Sequence, residues 1–397
     1  MKHRNYLVLQ SVALCLMLIV PIAFSTPIKE KDAGGEAAGA AKPEGRKSVP
    51  PYPRSSLITG VTFDKYRLHK GDGDMWPLTW ASDGDLYGAA GDNMGSPMNF
   101  WKITGEPGWS LIVERVDNLP MDPAVYCQKP NVDRKNGIKP ASLLSLNGML
   151  YFALENHNYG DNPSFNRQHN INAWIITSTD FGKTWNRSAT PEDFFTGRLA
   201  SPHFLQFGKD YSSARDEYVY AYFPAADDGN SYWENGDYLL LGRVPKDKIL
   251  ARGAWEFYTG ADKSGQPTWN RDDKLAQPVF RYYHMTGENH VSFNRGIKRY
   301  LMGNYGFMDD NGNPRPYHQS WPQSVYPSQL TLYEAPEPWG PWSLFYQDDN
   351  WGTYGDYQPS FPTKWMSEDG KTLWMVSAGT YDDYNFTVQK LTLVLQK

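Results

Sequence analysis

The sequence predicts an all-β fold, a five-bladed β-propeller of four-stranded antiparallel blades. Three observations carry this. Short apolar or alternating segments divided by polar turns fill the chain after residue 56, with almost no helical periodicity. Those segments recur in sets of four over roughly 45 to 60 residues, the spacing of a propeller blade. The composition agrees: aromatic residues make up 15%, with 35 Gly and 29 Pro, a mix that suits short strands and turns. An irregular β-sandwich is the competing architecture.

The chain opens on Lys2, His3 and Arg4, followed by a mostly apolar run over 6–24 broken by Gln10 and Ser11. Ala23 and Ser25 place small residues two apart, as a signal peptidase requires. Residues 1–25 are therefore expected to be a signal peptide, giving a secreted or periplasmic protein with no membrane attachment after cleavage. The alternative is an uncleaved anchor, because the run is just long enough to span a bilayer. Cys15 lies inside this run and is followed by Leu-Met, which disfavours a lipoprotein site. Removal of the run leaves Cys127 alone, so neither an internal disulfide nor a cysteine metal site is expected. Residues 26–56 are rich in Lys, Glu, Ala, Gly and Pro and are expected to form a disordered linker.

The propeller is expected over 57–397. Its first set of strands covers 77–81, 86–90, 98–104 and 109–115, and its second 140–146, 149–154, 172–178 and 184–187. The third covers 202–207, 218–223, 238–244 and 254–258, and the fourth 289–293, 299–304, 329–334 and 342–346. The fifth has only 359–365, 372–377 and 386–395. The strand-like segment 57–66 is left over at the other end and would complete the last blade, latching the ring. Each second strand follows a tight polar turn: "SDGD", "LNG", "SARDE", "NRGIK" and "SEDGK". Trp109, Trp185, Trp255 and Trp342 each stand at or near the start of a last strand.

Up-and-down connection sorts the loops. Those between strands 2 and 3, and those leading into each strand 1, emerge at one mouth of the channel; the others emerge on the far face. "STDFGKTW", residues 178–185, joins strands 3 and 4 of the second blade and so belongs to the far face. It resembles the Asp-box of sialidases through Ser178, Asp180, Gly182, Thr184 and Trp185. Its chemistry is that of a hairpin turn, in which Asp180 can accept backbone N–H groups and Gly182 can supply a positive φ. The turn is expected to be structural. A sialidase is disfavoured, since no arginine triad can be placed and only one clear Asp-box is present.

The mouth collects the chemistry. "KGDGDMW" contributes Asp72, Asp74 and Trp76, and "GDNMG" contributes Asp92. The second blade brings Lys139, then "ENHNYGDNPSFNRQHN" with Glu155, His157, Arg167 and His169. Arg198 and His203 lead into the third blade, Glu288 and His290 into the fourth, and Asp356, Tyr357 and Gln358 into the fifth. Acids, histidines, cations and aromatic rings gathered over a channel suit a carbohydrate: flat rings stack on sugar C–H faces and carboxylates bond hydroxyls. Taken singly, each of these residues could equally be a solvated turn residue.

From "GDGDMWPLTWASDGDLYGAAGDN" onward, through "ARDEYVYAYFP", "LLLGRVPKDKIL", "WEFYTG", "APEPWGPWSLFY" and "SFPTKWMSEDGKTLW", the chain resembles a family of secreted five-bladed β-propellers whose function was long unknown. Endo-D-arabinanases are its characterised distant relatives. The likeness covers nearly all of 57–395, and on it Asp74 and Asp92 are the positions that carry over as catalytic acids. The chain departs from the common form in the second-blade insert bearing His157 and His169, and in "GENHVSFN" of the fourth blade.

Three functions remain open from sequence. The first is a glycoside hydrolase acting on a polysaccharide or oligosaccharide, with Asp74 and Asp92, or Glu155 as an alternative acid, flanking the bond. Trp76, Lys139, His157, His169, Arg198, His203, Glu288, His290, Tyr357 and Gln358 would bind the substrate. The second is a polysaccharide lyase, which needs a base, an acid and a cation against a uronate carboxylate; histidines, Tyr222, Lys139 and Arg198 could supply them. The third is a glycan-binding propeller without catalysis. A net charge of −5 argues against nucleic acid. No cofactor or metal is expected: the EF-hand loop pattern and zinc-type histidine pairs are both absent from the sequence.

Overall fold

The computed structural model describes residues 48–93, 96–116, 136–158, 169–309, 311–314, 328–352, 356–380 and 383–397. The expected signal peptide, Cys127 and Arg167 lie outside the described residues. Among the described residues, twenty-two strands form five antiparallel sheets arranged as a five-bladed propeller.

β1 (Ile58–Lys70) belongs to the last blade. The first blade is β2 (Asp74–Trp80), β3 (Leu86–Asn93), β4 (Ser96–Thr104) and β5 (Ile112–Val116), paired in that order. The second contains β6 (Asn136–Leu146), β7 (Met149–Asn158) and β8 (His169–Ser178). Its expected fourth strand at 184–187 is reduced to one bridge between Thr177 and Asn186. The outer edge of β8 is instead capped by β9 (Phe195–Thr196) at Asn172 and Ala173. The polar run 186–193 explains the loss, since it offers little to bury along a strand.

The third blade is enlarged. β10 (His203–Phe204) and β11 (Tyr218–Ala225) precede the two-residue β12 (Ser231–Tyr232), which crosses to pair with β8. β13 (Gly236–Pro245), β14 (Glu256–Ala261) and β15 (Pro267–Asn270) continue the blade, and β16 (Phe280–Thr286) returns to pair with β13. The fourth blade is regular: β17 (His290–Asn294), β18 (Arg299–Phe307), β19 (Ser328–Ala335) and β20 (Ser343–Trp351). In the fifth, the expected first strand at 359–365 is one bridge from Ser360 to Val376, followed by β21 (Thr372–Thr380) and β22 (Asp383–Leu395). β1 pairs antiparallel with β22 from Ile58↔Leu395 to Lys70↔Phe386, so the leftover segment closes the ring.

The linker boundary needs correction, because residues 48–56 pack on the propeller. Tyr52 stacks on Phe280 with ring centroids 4.9 Å apart, and its hydroxyl accepts the Arg281 amide at 2.7 Å. The Leu344 amide donates to the Pro53 carbonyl and the Ser55 amide to that of Leu344, both at 2.8 Å. One aromatic ring and a bridge on β20 are enough to fix a segment otherwise poor in apolar residues.

First strands of neighbouring blades touch, β2 with β6, β6 with β10, and β10 with β17, and so surround the channel. Apolar residues fill the spaces between blades in two clusters, one centred on the second and third blades and one joining the fourth, fifth and first. The "STDFGKTW" turn is part of that packing. Asp180 accepts the Thr184 amide at 2.9 Å and the Thr184 hydroxyl at 2.6 Å, while Ser178 Oγ accepts the Gly182 amide at 2.8 Å. Gly182 sits at φ +85°, and a Cβ there would stand 2.3 Å from the Phe100 ring. Trp185 packs edge-on to Phe100 at 5.1 Å, which staples the second blade to the first. Trp109 breaks the tryptophan pattern: it is fully exposed, and β5 begins three residues later.

Candidate active site

Two carboxyls meet at the heart of the channel. Glu155 comes from β7 and Glu288 from the segment leading into β17, and neither is exposed to solvent. They sit in related tripeptides, Glu155-Asn156-His157 and Glu288-Asn289-His290, and Ser201-Pro202-His203 stands at the matching place before β10. In extended backbone, residues two apart share a face. In two of the tripeptides the first and third side chains are seen to touch. His157 Nε2 lies 2.5 Å from Glu155 Oε1, and Ser201 Oγ lies 2.7 Å from His203 Nε2.

Glu288 is covered by donors. Ser201 Oγ donates to Oε1 at 3.2 Å, Asn170 Nδ2 to Oε1 at 3.4 Å, and Gln358 Nε2 to Oε2 at 2.5 Å. Glu155 Oε2 has no such donor. The Glu288 carboxyl is close by, with an oxygen of each acid within 4.8 Å of the other. Burial pushes Glu155 up to about 7, with the Glu288 and Ser201 hydrogen bonds and the Lys139 charge pulling it back. Burial, then the charge of Glu155, holds Glu288 well above the usual carboxylate range. The pair titrates as a unit.

Asp74 opens β2, is 6% exposed, and its Oδ2 accepts the Tyr357 hydroxyl at 2.8 Å. Opposite it in register is Gly91, where a Cβ would stand 2.7 Å from Asp74 Oδ1 and 3.5 Å from Lys139 Nζ. The missing side chain lets Asp74 and Lys139 converge over bare backbone. Lys139 pairs in register with Glu155, so this one ammonium group stands between the first-blade acid and the pair. Tyr357 and Gln358, adjacent in sequence, reach Asp74 and Glu288 respectively.

His203 and His290 pack edge to face at 5.1 Å. Burial, then the neighbouring His290, pushes His203 well below its ordinary value; burial pushes His290 down to about 4. Both rings are neutral near pH 7. Glu155, His203 and Glu288 each bring one potential ligand atom within 4.8 Å of the others, a set that could hold a divalent metal. The oxygens of Glu288 already accept from Ser201, Asn170 and Gln358.

The channel thus gathers Asp74, Lys139, Glu155, His157, His203, Glu288, His290, Tyr357 and Gln358. Other expected site residues lie elsewhere. Trp76 is core rather than a sugar platform: it is 1% exposed, packs on Trp101 and Phe386, and donates its indole N–H to the Gly73 carbonyl at 2.8 Å. Arg198 donates to the Asp273 carbonyl at 2.8 Å, on the enlarged part of the third blade. His169 is half-buried against Tyr232, with ring centroids 6.0 Å apart. Asp92 is in β3 beside Gly91, and its side chain lies outside the described residues. Ser201 and Asn170 were missed. Ser201 had a signal in the repeated x-x-His spacing, whereas Asn170 had none.

No family model matches the chain, and no curated protein matches it. Solved structures do. A GH43_1 enzyme from Xanthomonas citri complexed with xylotriose is 12% identical, with a TM-score of 0.44, over 83% of this chain and 91% of that one. A GH43 β-xylosidase/α-arabinofuranosidase from a compost microbial metagenome is 12% identical, with a TM-score of 0.43, over 88% and 98%. A glycosyl hydrolase from Bacteroides ovatus is 13% identical, with a TM-score of 0.41, over 86% and 93%. Similarity this remote carries no argument of its own.

Proposed function

We propose that this chain is a glycoside hydrolase acting on a polysaccharide or oligosaccharide, with Glu288 as the proton donor and Asp74 as the ionised carboxylate. The observation that carries this is the pair of fully buried carboxyls, Glu155 and Glu288, with oxygens within 4.8 Å of each other, where burial favours the protonated form. Asp74 accepts a phenol hydrogen bond and shares its surroundings with the Lys139 ammonium. Acids held in different surroundings divide the labour of glycoside cleavage.

Glu288 gives its proton to the glycosidic oxygen as the C–O bond breaks, and the leaving sugar departs as an alcohol. Asp74 either takes a proton from the attacking water or bonds the anomeric carbon before water releases the sugar. Glu155 tunes the donor, and the neutral histidines and Gln358 line the chamber. The pair is closed to solvent, so substrate must enter by opening the mouth side. The basic and apolar start of the chain supports export, where such substrates occur.

The lyase set finds less support. Arg198 is engaged with Asp273, and the Tyr222 hydroxyl donates to the Pro338 carbonyl at 2.7 Å, away from the acids. The test is incubation with neutral and uronic polysaccharides. New reducing ends that vanish in Glu288→Gln and Asp74→Asn are expected. Unsaturated-uronate absorbance would mean a lyase, and retention without cleavage a lectin; either would sink the proposal.

A further inference from the structure

We propose that Arg67, on the ring-closing strand β1, is a positioning residue for the acid set: through its ion pair with Asp356 it holds Tyr357 against Asp74 and Gln358 against Glu288. This rests on the assignment of those acids as catalytic.

Arg67 stands where the β1–β22 register shifts, after Phe63. Its Nη2 donates to the Asp356 carboxylate and, at 3.4 Å, to Ser377 Oγ. Asp356 has no side-chain exposure, and the Arg67 side chain has 24%. A carboxylate this deep needs a cation beside it, and the guanidinium is the group bonded to it. The Asp356 backbone is held as well, since its carbonyl accepts Ser328 Oγ at the start of β19. Gly352 lies against it, for a Cβ there would stand 2.7 Å from the Asp356 amide and carboxylate.

The next two residues follow directly. The Tyr357 carbonyl accepts the Ala378 amide at 3.1 Å, and its ring packs edge-on to Trp233 at 5.6 Å. Gln358 sits at φ +51°, a region a non-glycine residue keeps only when its surroundings impose it. Asp356 therefore fixes the origin of both side-chain reaches, and its own position is set by the fourth blade and the closing strand. The ring must close for Arg67 to arrive. Closure and site geometry are coupled at one ion pair.

The test uses Asp356→Asn, Arg67→Lys and Arg67→Gln, with the folded fraction measured by circular dichroism. Asp356→Asn keeps the shape, so it remains informative if Arg67→Gln fails to fold. We expect kcat per folded molecule to fall about 10- to 100-fold with KM within about threefold, as for a small misplacement of catalytic groups. Arg67→Lys should retain more activity than Arg67→Gln. Amide exchange at Ala378, which reports the Tyr357 contact, should accelerate in Asp356→Asn whether or not a substrate is known. Unchanged exchange at Ala378, or unchanged kcat in Asp356→Asn while Asp74→Asn and Glu288→Gln abolish activity, would overturn the clamp. If no glycan is cleaved, the hydrolase assignment fails, and the exchange experiment still decides the clamp.

Discussion

Glu155 and Glu288 are both closed to solvent, with oxygens within 4.8 Å of each other. Glu288→Gln removes the transferable proton, and Asp74→Asn removes the opposing carboxylate. Each should lower kcat by about 100- to 10,000-fold, the usual contribution of a general acid or base. Initial rates on the cleaved glycan measure this. The same groups give stability an unusual pH dependence. Glu155 rises from 4.5 to about 7 on folding, so the native state holds an extra proton between those values, and stability is lost as pH rises through about 7. His290 falls from 6.5 to about 4, so its neutral form contributes stability above 6.5 that is lost as pH falls toward 4. The two slopes oppose each other between roughly pH 4.5 and 6.5. Urea melts across pH 4–8 should therefore show Glu155→Gln losing the alkaline-side decline, and His290→Asn losing the acid-side decline. Melts in which neither slope changes would refute both assignments.

At the scale of an element, the 178–185 turn is scaffold. A Cβ at position 182 would meet Phe100 at 2.3 Å and require φ +85° of a residue other than glycine. Gly182→Ala should destabilise by about 1–3 kcal/mol from strain and overpacking, read by chemical denaturation, while kcat per folded molecule stays at the parent value. A loss of kcat in folded protein would mean the turn reaches the channel after all. β9, β12, β15 and β16 are elements the repeat did not announce. β12 borrows the edge of β8 in the previous blade, and β16 the edge of β13. Sequence periodicity reports which residues face a core; it does not report which edge a two-residue strand will find.

For the whole molecule, closure is the governing event. β1 pairs with β22 across the full span of the chain, so the last blade forms only when both ends are present. Truncation to residue 71 should abolish cooperative unfolding. A chain starting at Leu57 keeps the closing strand but loses Tyr52. Compared with one starting at Ser48, it should melt about 2–4 °C lower, in line with about 1.5–3 kcal/mol for a buried aromatic side chain. Scanning calorimetry of the three chains measures this, and identical melting of the Ser48 and Leu57 chains would show that the strap contributes nothing.

The all-β class and the five-bladed repeat were legible because each is local, and the closing role of the first segment because one strand was left over from the count. Alternation, turn chemistry and repeat spacing are written within stretches of a few tens of residues. Ring closure decided the site. Tyr357 meets Asp74 across 283 positions of sequence, and Gln358 meets Glu288 across 70. No periodicity encodes such meetings. Trp76 and Arg198 show the same limit from the other side: both stand in segments that lead to the mouth, yet packing against Phe386 took one ring into the core, and the Asp273 carbonyl drew the other side chain outward. The sequence by itself determined which loops could carry chemistry. Only the tertiary structure decided which acids are buried side by side, because that depends on distances and burial that exist once five blades have closed around one channel.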